Sequence, residues 1–379
     1  MARNIPISGL PLLVYKLRTG GLAWLFDRLK REWEMPTTRP GRALYRFGRA
    51  LLGRRHAVEN AGDTLYAFYD LAVAPLTFDF LWFLVGAELE RKRRGLAAID
   101  VVLVPGRDAG VRREDPEYES HIDTDARHQR IINILMPAAL LLPSVAGVNL
   151  ASTRAEAERR VQSGGAVYPP RYETGAPSYP TPTEPLRAAR EEGAAIGALR
   201  ARVGDLASID RWLASHGAAG RVVTVTLRNY SYMSGRNSNL AAWLEFARNL
   251  DPSYSVVFIP DTDQVFGGIP EVLNGFTVCP EAAVNLGLRM AFYERAYLNL
   301  GINNGPQGLC WMNDRTRYIT FKMLTDSAPQ TSVEYMRHLG FEIGVSLPFA
   351  TPFQKWVWED DDLAAITREF AAMVERIGA

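Results

Sequence analysis

Cysteine is scarce in this 379-residue chain. Cys279 and Cys310 are its two cysteines, and neither has His, Cys, Asp or Glu neighbours at the spacing of metal ligands. Two cysteines exclude a disulfide scaffold, and this usage is typical of proteins in a reducing cytoplasm. We therefore predict a cytoplasmic protein without a metal site. The chain is 47% hydrophobic and 22% charged, which is ordinary globular composition with room for two domains.

Long apolar runs and a strong net charge are also missing. The longest apolar stretch, residues 131–148, is interrupted by Pro137 and Pro143, so we predict no bilayer-spanning segment. The first residues lack the compact basic-then-apolar pattern of a secretory signal. The net charge is +1, which argues against a polyanion-binding protein, and we predict no nucleic-acid partner.

Charge is nevertheless uneven along the chain. Residues 1–55 carry twelve Lys and Arg against three Asp and Glu, and apolar residues recur at helical spacing from Leu13 to Leu29. A basic amphipathic helix of this kind can lie on the anionic inner face of a membrane. The alternative is a helix that packs on the body of the protein and exposes its basic face to solvent. We predict a basic helical extension over residues 1–60 and leave both interpretations open.

From Thr64 onward, buried strands alternate with amphipathic helices, which predicts parallel sheets with crossover helices. Residues 163–185 are rich in Gly, Pro, Tyr and Thr and are predicted to be a linker. The predicted fold class is α/β, with Rossmann-like domains over residues 61–185 and 186–379 that face each other across a cleft. The strands are predicted at 65–72, 99–105, 145–150, 221–227, 254–260, 276–279, 298–302 and 318–322, and the longest helices at 78–94, 125–142, 186–202, 281–295 and 363–377.

Polar side chains follow several strands of the second predicted domain. Arg228 follows its first strand, Asp261 its second and Asn303 a later one. In a parallel sheet these strand ends share the edge at which ligands bind. The fork-shaped guanidinium of Arg228 suits a diphosphate, with Arg236, Asn237 and Lys322 as further donors; the alternative is a structural ion pair between Arg228 and Asp261 or Asp263.

The loop after the strand at 298–302 has the character of an anion site. Asn303, Asn304, Gly305 and Pro306 form a small-residue turn before a predicted helical turn, where free backbone N–H groups can face a phosphate. The turn is neither Gly-x-Gly-x-x-Gly nor a P-loop. The predicted donor-binding residues are Arg228, Arg236, Asn237, Asp261, Asn303, Asn304, Gly305, Pro306 and Lys322.

The first predicted domain offers candidates for a general base. His121 and Asp123 lie in a polar loop before a helix, where a neighbouring carboxylate can tune a histidine toward neutral pH. An exposed loop histidine without catalytic function is the competing interpretation. Asp70, at a strand end, is the other principal candidate, and Asp79 and His128 complete the group.

The segment 294–322 resembles the C-terminal-domain loop of GT-B-fold glycosyltransferases, in which heptosyltransferases have a strand, Asp-Ser-Gly-Pro and a helix. Here Asn303 and Asn304 stand in place of Asp-Ser, and no His follows the Gly-Pro. The strand end at Arg228 resembles those whose arginine contacts a sugar-nucleotide diphosphate, and residues 351–362 resemble bacterial surface-polysaccharide proteins. The resemblance covers about the last 160 residues.

This resemblance implies transfer of a sugar from a nucleotide-sugar donor to a glycan or glycolipid acceptor in cell-envelope polysaccharide synthesis. The donor would be a co-substrate, so no cofactor is expected, and the chemistry would be metal-independent. Asp261 and Asp263 have the Asp-x-Asp spacing of the metal site in the other major glycosyltransferase fold. The alternatives are a nucleotide-sugar epimerase or hydrolase, which would turn over donor alone, and a non-catalytic polysaccharide-assembly protein.

Overall fold

The computed structural model describes residues 9–34, 36, 38–51, 62–107, 110–179, 181–218, 220–326 and 328–378. The chain divides into two compact units. Unit 1 comprises Met1–Leu76, Gly86–His128 and Ser144–Thr181, and unit 2 comprises Thr77–Val85, Gln129–Pro143 and Pro182–Ala379. Of the predicted N-terminal extension, residues 1–8, 35, 37 and 52–60 lie outside the described residues.

The N-terminal half of the chain begins with two helices and continues with alternating strands and helices. Its elements are α1 (Gly9–Glu34), α2 (Arg39–Leu51), β1 (Thr64–Asp70), α3 (Phe80–Arg93), β2 (Ala98–Val104), α4 (Pro116–His121), α5 (Thr124–Arg130), a π-helix (Ile131–Leu135), α6 (Met136–Ala139), β3 (Val145–Leu150), α7 (Arg154–Gln162) and β4 (Ala166–Tyr168).

The strands of unit 1 form a four-stranded parallel sheet in the order β3-β2-β1-β4. Strands β1 and β2 are almost completely buried toward their carboxyl ends, which is why apolar residues follow one another there, at 67–69 in β1 and at 101–104 in β2. Strand β4 lies inside the predicted linker and pairs with β1, so that part of the Gly/Pro-rich segment belongs to the sheet.

The C-terminal half contains the remaining helices and strands. They are α8 (Thr183–Glu192), α9 (Val203–Ser215), β5 (Arg221–Thr226), α10 (Leu240–Asn249), β6 (Tyr254–Ile259), α11 (Thr262–Gly267), β7 (Thr277–Val278), α12 (Glu281–Val284), α13 (Leu286–Arg295), β8 (Leu298–Ile302), α14 (Gly308–Trp311), β9 (Tyr318–Phe321), α15 (Val333–His338), β10 (Gln354–Trp356) and α16 (Leu363–Gly378).

Unit 2 contains a six-stranded parallel sheet in the order β10-β9-β8-β5-β6-β7. The chain builds β5, β6 and β7 in one direction and then returns to add β8, β9 and β10 on the other side of β5. The order therefore reverses between β5 and β8, and this topological switch point is where open α/β sheets bind ligands.

Three predicted helices are shorter or more divided than the sequence suggested, and the predicted helix 281–295 is interrupted at Asn285, between α12 and α13. The predicted helix 125–142 is divided into α5, a π-helical segment and α6, with Pro137 in the first turn of α6. The predicted helix 186–202 ends at Glu192, because Gly193 adopts a left-handed conformation (φ 63°) that closes the helix. The sequence prediction also missed β10, whose three residues are too few to show a period.

Within the described residues, no helix is both long enough and apolar enough to cross a bilayer. Both cysteines are buried in the core. The core of unit 2 packs α10 and α16 around the sheet, with Trp243 and Phe321 in edge-to-face contact at a centroid distance of 5.6 Å. This packing fixes the strand ends that carry the candidate site.

Candidate functional site

The ends of β5 and β8 place the first two candidate residues side by side. Thr226 of β5 is paired with Gly301 of β8 in a parallel register. Arg228 and Asn303 each follow two residues after that pair, so both emerge at the carboxyl edge of the sheet at the switch point. The sequence argument that these strand ends would meet is therefore supported by the topology of unit 2.

Arg228 turns back into the loop that follows its own strand. Its guanidinium donates to the carbonyl oxygens of Tyr232 (2.7 Å) and Met233 (3.1 Å) and to the side-chain oxygen of Asn237. Among the described residues, the alternative ion pair of Arg228 with Asp261 or Asp263 is not formed; Asp261 instead accepts the backbone N–H of Asn229 at 3.0 Å. Burial lowers the pKa of Arg228, which Asp261 only partly offsets.

Asn237 completes the same loop. Its side-chain oxygen also accepts from the backbone N–H of Tyr230 (3.1 Å), and its amide group donates to the Tyr230 carbonyl oxygen (3.1 Å). Arg228 and Asn237 thus use their polar groups to hold residues 229–238 in one conformation. We interpret both as residues that shape the site, with Arg228 adding its positive charge.

Lys322 is tied to the C-terminal tail. Its ammonium group donates to the Asn237 carbonyl oxygen (3.3 Å) and lies 3.6 Å from Asp361 and 3.8 Å from Asp360. Asp361 is buried and accepts from the backbone N–H of Asn239 at 2.7 Å, and burial raises its pKa. Because these carboxylates neutralise Lys322, it is less suited to be the second phosphate-binding cation than the sequence suggested.

Arg236 has a side-chain N–H group that donates to no other described residue. One terminal nitrogen donates to the Asn303 carbonyl oxygen at 3.1 Å, which links the loop after β5 to the loop after β8. Its Nε is buried and has no hydrogen-bond partner among the described residues. Burial and the neighbouring charge of Arg228 lower the pKa of Arg236 to about 10, and Asp79 partly offsets this. Two adjacent arginines with an unsatisfied buried N–H are suited to an anion.

Asp79 belongs to the same unit as the arginine pair. Its segment, Thr77–Val85, is part of unit 2, although it lies in the N-terminal half of the sequence. Asp79 is exposed, immediately precedes α3, and accepts a hydrogen bond from the Thr77 hydroxyl at 2.8 Å. Its charge acts on Arg236. A carboxylate that is open to solvent therefore lies near enough to Arg236 for its charge to act on the guanidinium.

The Asn303–Pro306 loop is held by its own side chains. Asn304 is buried and its side-chain oxygen accepts the backbone N–H of Gln307 at 3.1 Å, and Asn303 donates to the Met323 carbonyl oxygen at 3.0 Å. The turn that follows is a 3-10 helix, Gly305–Gln307, before the four-residue α14. These contacts give the loop a fixed shape and hold the Asn303 carbonyl oxygen against Arg236.

Phe78 leaves no room for a side chain at position 305. A Cβ atom at Gly305 would lie 2.5 Å from Cδ2 of Phe78, which is closer than carbon atoms pack. The prediction of Gly305 as a donor-binding residue therefore has a packing explanation beside it. The contact also anchors the segment that carries Asp79.

We expect Gly305→Ala to lower the free energy of unfolding by about 1–3 kcal/mol, because the new methyl group overpacks the contact with Phe78. Urea unfolding measures the change. Gly204→Ala, in the first turn of α9 with nothing within 4 Å of its added Cβ, is the matched control and is expected to be neutral or stabilising. Equal stability of Gly305→Ala and wild type would contradict the packing explanation.

Asp70 lies in unit 1 and is fully engaged there. Its carboxylate is buried, accepts from both terminal nitrogens of Arg154 at 2.8 Å each, and also accepts the Tyr172 hydroxyl at 2.6 Å. A base needs an oxygen that can reach substrate, and both oxygens of Asp70 are occupied. The structure therefore favours a structural role for Asp70 over the predicted catalytic one.

His121 and Asp123 also lie in unit 1, on the surface. His121 ends α4, with Nδ1 3.0 Å from the Glu117 carbonyl oxygen, and Asp123 accepts the backbone N–H of Ala126 at 2.8 Å at the start of α5. Both contacts are typical of helix ends. His128, the remaining sequence candidate, lies on α5.

Asp263 follows Asp261 at the start of α11. Burial, followed by the like charge of Asp261, raises the pKa of Asp263, and Arg130 opposes that effect. Among the residues that the structure describes, no group of three or more His, Cys, Asp and Glu side chains is arranged to hold a metal ion.

The comparisons with known proteins concern the fold. No protein-family model matches the chain, and no curated protein sequence does. A solved glycosyl transferase family 9 structure from Veillonella parvula matches 85% of this chain and 100% of its own, with 11% identity and a TM-score of 0.51. ADP-heptose lps heptosyltransferase II from E. coli matches 83% and 99%, with 9% identity and a TM-score of 0.43.

A further E. coli heptosyltransferase, solved with ADP-2-deoxy-2-fluoro heptose, matches 82% of this chain and 99% of its own, with 13% identity and a TM-score of 0.37. The similarity to the Veillonella structure shows the fold, a GT-B-like chain with two Rossmann-like parallel sheets. The predicted α/β class with two Rossmann-like domains is confirmed, and the cleft between them stays a prediction.

Proposed function

We propose that this protein is a glycosyltransferase that moves a sugar from a nucleotide-sugar donor to a glycan or glycolipid acceptor in cell-envelope polysaccharide synthesis. The observation that carries the proposal is the Arg228–Arg236 pair at the switch point between β5 and β8, with the Arg236 Nε buried and unpaired within the described residues. A GT-B-like fold supports the assignment of the anion as the diphosphate of a sugar nucleotide.

In this proposal the arginine pair binds the diphosphate and stabilises the charge that develops on it. As the bond between the anomeric carbon and the phosphate oxygen breaks, the electron pair leaves with the nucleoside diphosphate. Preorganised cations are most effective where charge grows in the transition state. The loop contacts of Arg228 and Asn237 hold Arg236 in place before the donor binds, and no metal ion takes part in the proposed step.

Asp79 is the proposed general base. It would take the proton of the acceptor hydroxyl while the acceptor oxygen bonds to the anomeric carbon, so that one C–O bond forms as the other breaks. Asp79 suits this role because it is exposed and its charge acts on Arg236 at the proposed diphosphate site. In this assignment it replaces Asp70, His121 and Asp123, whose contacts in unit 1 serve local structure.

We expect Arg236→Ala to weaken binding of the preferred nucleoside diphosphate by about 10- to 100-fold, since charge-assisted hydrogen bonds are worth about 1.5–3 kcal/mol. Calorimetry and thermal shift with UDP, GDP, ADP and dTDP, and with the monophosphate CMP, identify the donor base, because a ligand that binds the native state raises its stability by mass action. Arg221→Ala, an exposed arginine at the start of β5, is the matched control and should bind like wild type.

Two outcomes would contradict the assignment of the arginine pair as the donor site. If no compound of the panel binds, there is no donor site, and if Arg236→Ala binds as well as wild type, the donor site lies elsewhere. Turnover of a nucleotide sugar without any acceptor would instead indicate an epimerase or hydrolase. Activity that EDTA abolishes and Mn²⁺ restores would show that the metal-free step is wrong, and Asp261 and Asp263 would then be the first residues to test as ligands.

A further inference from the structure

The two N-terminal helices of unit 1 expose large apolar side chains to solvent. After the kink at Gly21, α1 carries Leu22, Phe26 and Leu29 with 70%, 68% and 57% of their surface exposed. On α2, Leu44 and Phe47 are 70% and 63% exposed. Single exposed apolar residues are common, but five on two successive helices form a feature that requires an explanation.

Their spacing places them on continuous stripes. Leu22, Phe26 and Leu29 are four and then three residues apart, so they share one face of α1, and Leu44 and Phe47 share one face of α2. We call these five residues the exposed apolar stripe. The sequence periodicity from Leu13 to Leu29 identified an amphipathic helix, but it did not show that this apolar face is uncovered.

Other faces of the same helices are held in place. Tyr45 of α2 packs over Gly175, where an added Cβ would lie 2.1 Å from its hydroxyl oxygen. Lys16 of α1 forms an ion pair with Asp115 at 2.8 Å, and the Glu32 carboxylate accepts the backbone N–H of Thr38 at 2.8 Å between the two helices. The stripe therefore lies on helices that unit 1 anchors, and its exposure does not come from an undocked segment.

The charges around the exposed apolar stripe indicate which kind of partner would cover it. Arg18 and Arg28 on α1 are exposed, and residues 1–55 carry twelve basic against three acidic side chains. Elsewhere in the chain Phe266 is 81% exposed, but Asp261, Asp263 and Glu271 lie near it in the sequence. Apolar side chains combined with cations complement a bilayer of anionic lipids, whose surface attracts basic residues and whose acyl boundary accepts Leu and Phe.

We propose that α1 and α2 form a docking surface for an anionic phospholipid bilayer. The exposed apolar stripe inserts at the boundary between headgroups and acyl chains, and Arg18 and Arg28 pair with lipid phosphates. The surface lies on the N-terminal helices of unit 1, while the donor site proposed above lies in unit 2. The two proposals can therefore fail independently.

Co-sedimentation of the full chain with vesicles tests the proposal. Wild type should bind vesicles of phosphatidylcholine with 30% phosphatidylglycerol at least 10-fold more tightly than pure phosphatidylcholine, and less tightly at high salt. The triple variant Phe26→Ser, Leu29→Ser and Phe47→Ser should bind the anionic vesicles at least 10-fold more weakly. Phe266→Ser is the matched control, with a similarly exposed aromatic residue in acidic surroundings, and should bind like wild type.

Arg18→Glu with Arg28→Glu is a second variant that leaves the apolar residues intact and should also bind more weakly. Thermal melting of each variant confirms that it folds, and nucleoside diphosphate binding should be unchanged in all of them. The proposal is overturned if wild type ignores the anionic vesicles or if both multiple variants bind them like wild type. It is also overturned if wild type does not bind and sedimentation shows a dimer that the triple variant dissociates, because the stripe would then join two copies of the chain.

Discussion

Asp79→Asn is expected to lower kcat by about 100- to 10,000-fold, which is the usual contribution of a positioned general base. The amide keeps the size of the side chain but cannot take the acceptor proton. Affinity for the nucleoside diphosphate should stay near the wild-type value, since the donors of Arg228 and Arg236 remain in place. Glycosyl transfer from the donor that the binding panel identifies measures the effect.

The rate and the nucleotide affinity of variants at this position together separate a base from a residue that only positions others. Asp79→Glu should recover part of the rate. Asp115→Asn, another exposed aspartate that immediately precedes a helix, is the matched control and should keep the wild-type rate.

The same assay also tests the candidate bases in unit 1. If His121→Gln or Asp123→Asn abolishes turnover while Asp79→Asn does not, the base lies in unit 1 and the assignment of Asp79 is wrong. Loss of nucleotide binding together with kcat in Asp79→Asn would show that the carboxylate serves the geometry of Arg236 instead of proton transfer.

Asp70→Asn is expected to cost about 3–5 kcal/mol of unfolding free energy, because it leaves the half-buried guanidinium of Arg154 without its charge partner. Burial opposes the charged form of Arg154, but hydrogen bonding and ion pairing with Asp70 raise its pKa above the usual value. Urea unfolding at neutral pH measures the loss.

Asp210→Asn is the matched control for this pair. Asp210 also accepts two hydrogen bonds from one arginine, Arg295, at 2.7 and 2.8 Å, but both side chains are about half exposed. Solvent screening should limit its cost to at most about 1 kcal/mol. Asp70→Asn combined with Arg154→Leu should recover part of the stability, since the unpaired charge is then gone.

Activity per folded molecule adds a second test of Asp70. If the structural interpretation is right, Asp70→Asn should keep near-normal kcat at a temperature at which it remains folded. A folded Asp70→Asn protein with wild-type stability and no turnover would restore the catalytic interpretation that the sequence suggested.

Local patterns in the sequence were sufficient for much of the fold. The apolar runs at residues 65–70, 99–104, 221–226 and 254–259 form strands, because a parallel strand buried on both faces needs a continuous apolar segment. The helix predictions failed where one residue ended a helix within an apolar period typical of helices, as Gly193 does after α8. The three-residue β10 has no local signal, since its strand conformation depends on pairing with β9.

The candidate site shows the same division. The sequence by itself determined which chemistry stands at each strand end: Arg228 after β5 and Asn303 after β8 follow from chain order and the parallel sheet. Tertiary structure alone decided which cation keeps a free donor and which carboxylate influences its charge. Loop contacts occupy Arg228, tail carboxylates neutralise Lys322, and Asp79, in a segment that belongs to unit 2, acts on the charge of Arg236. These are long-range contacts between distant residues, and neither composition nor periodicity encodes them.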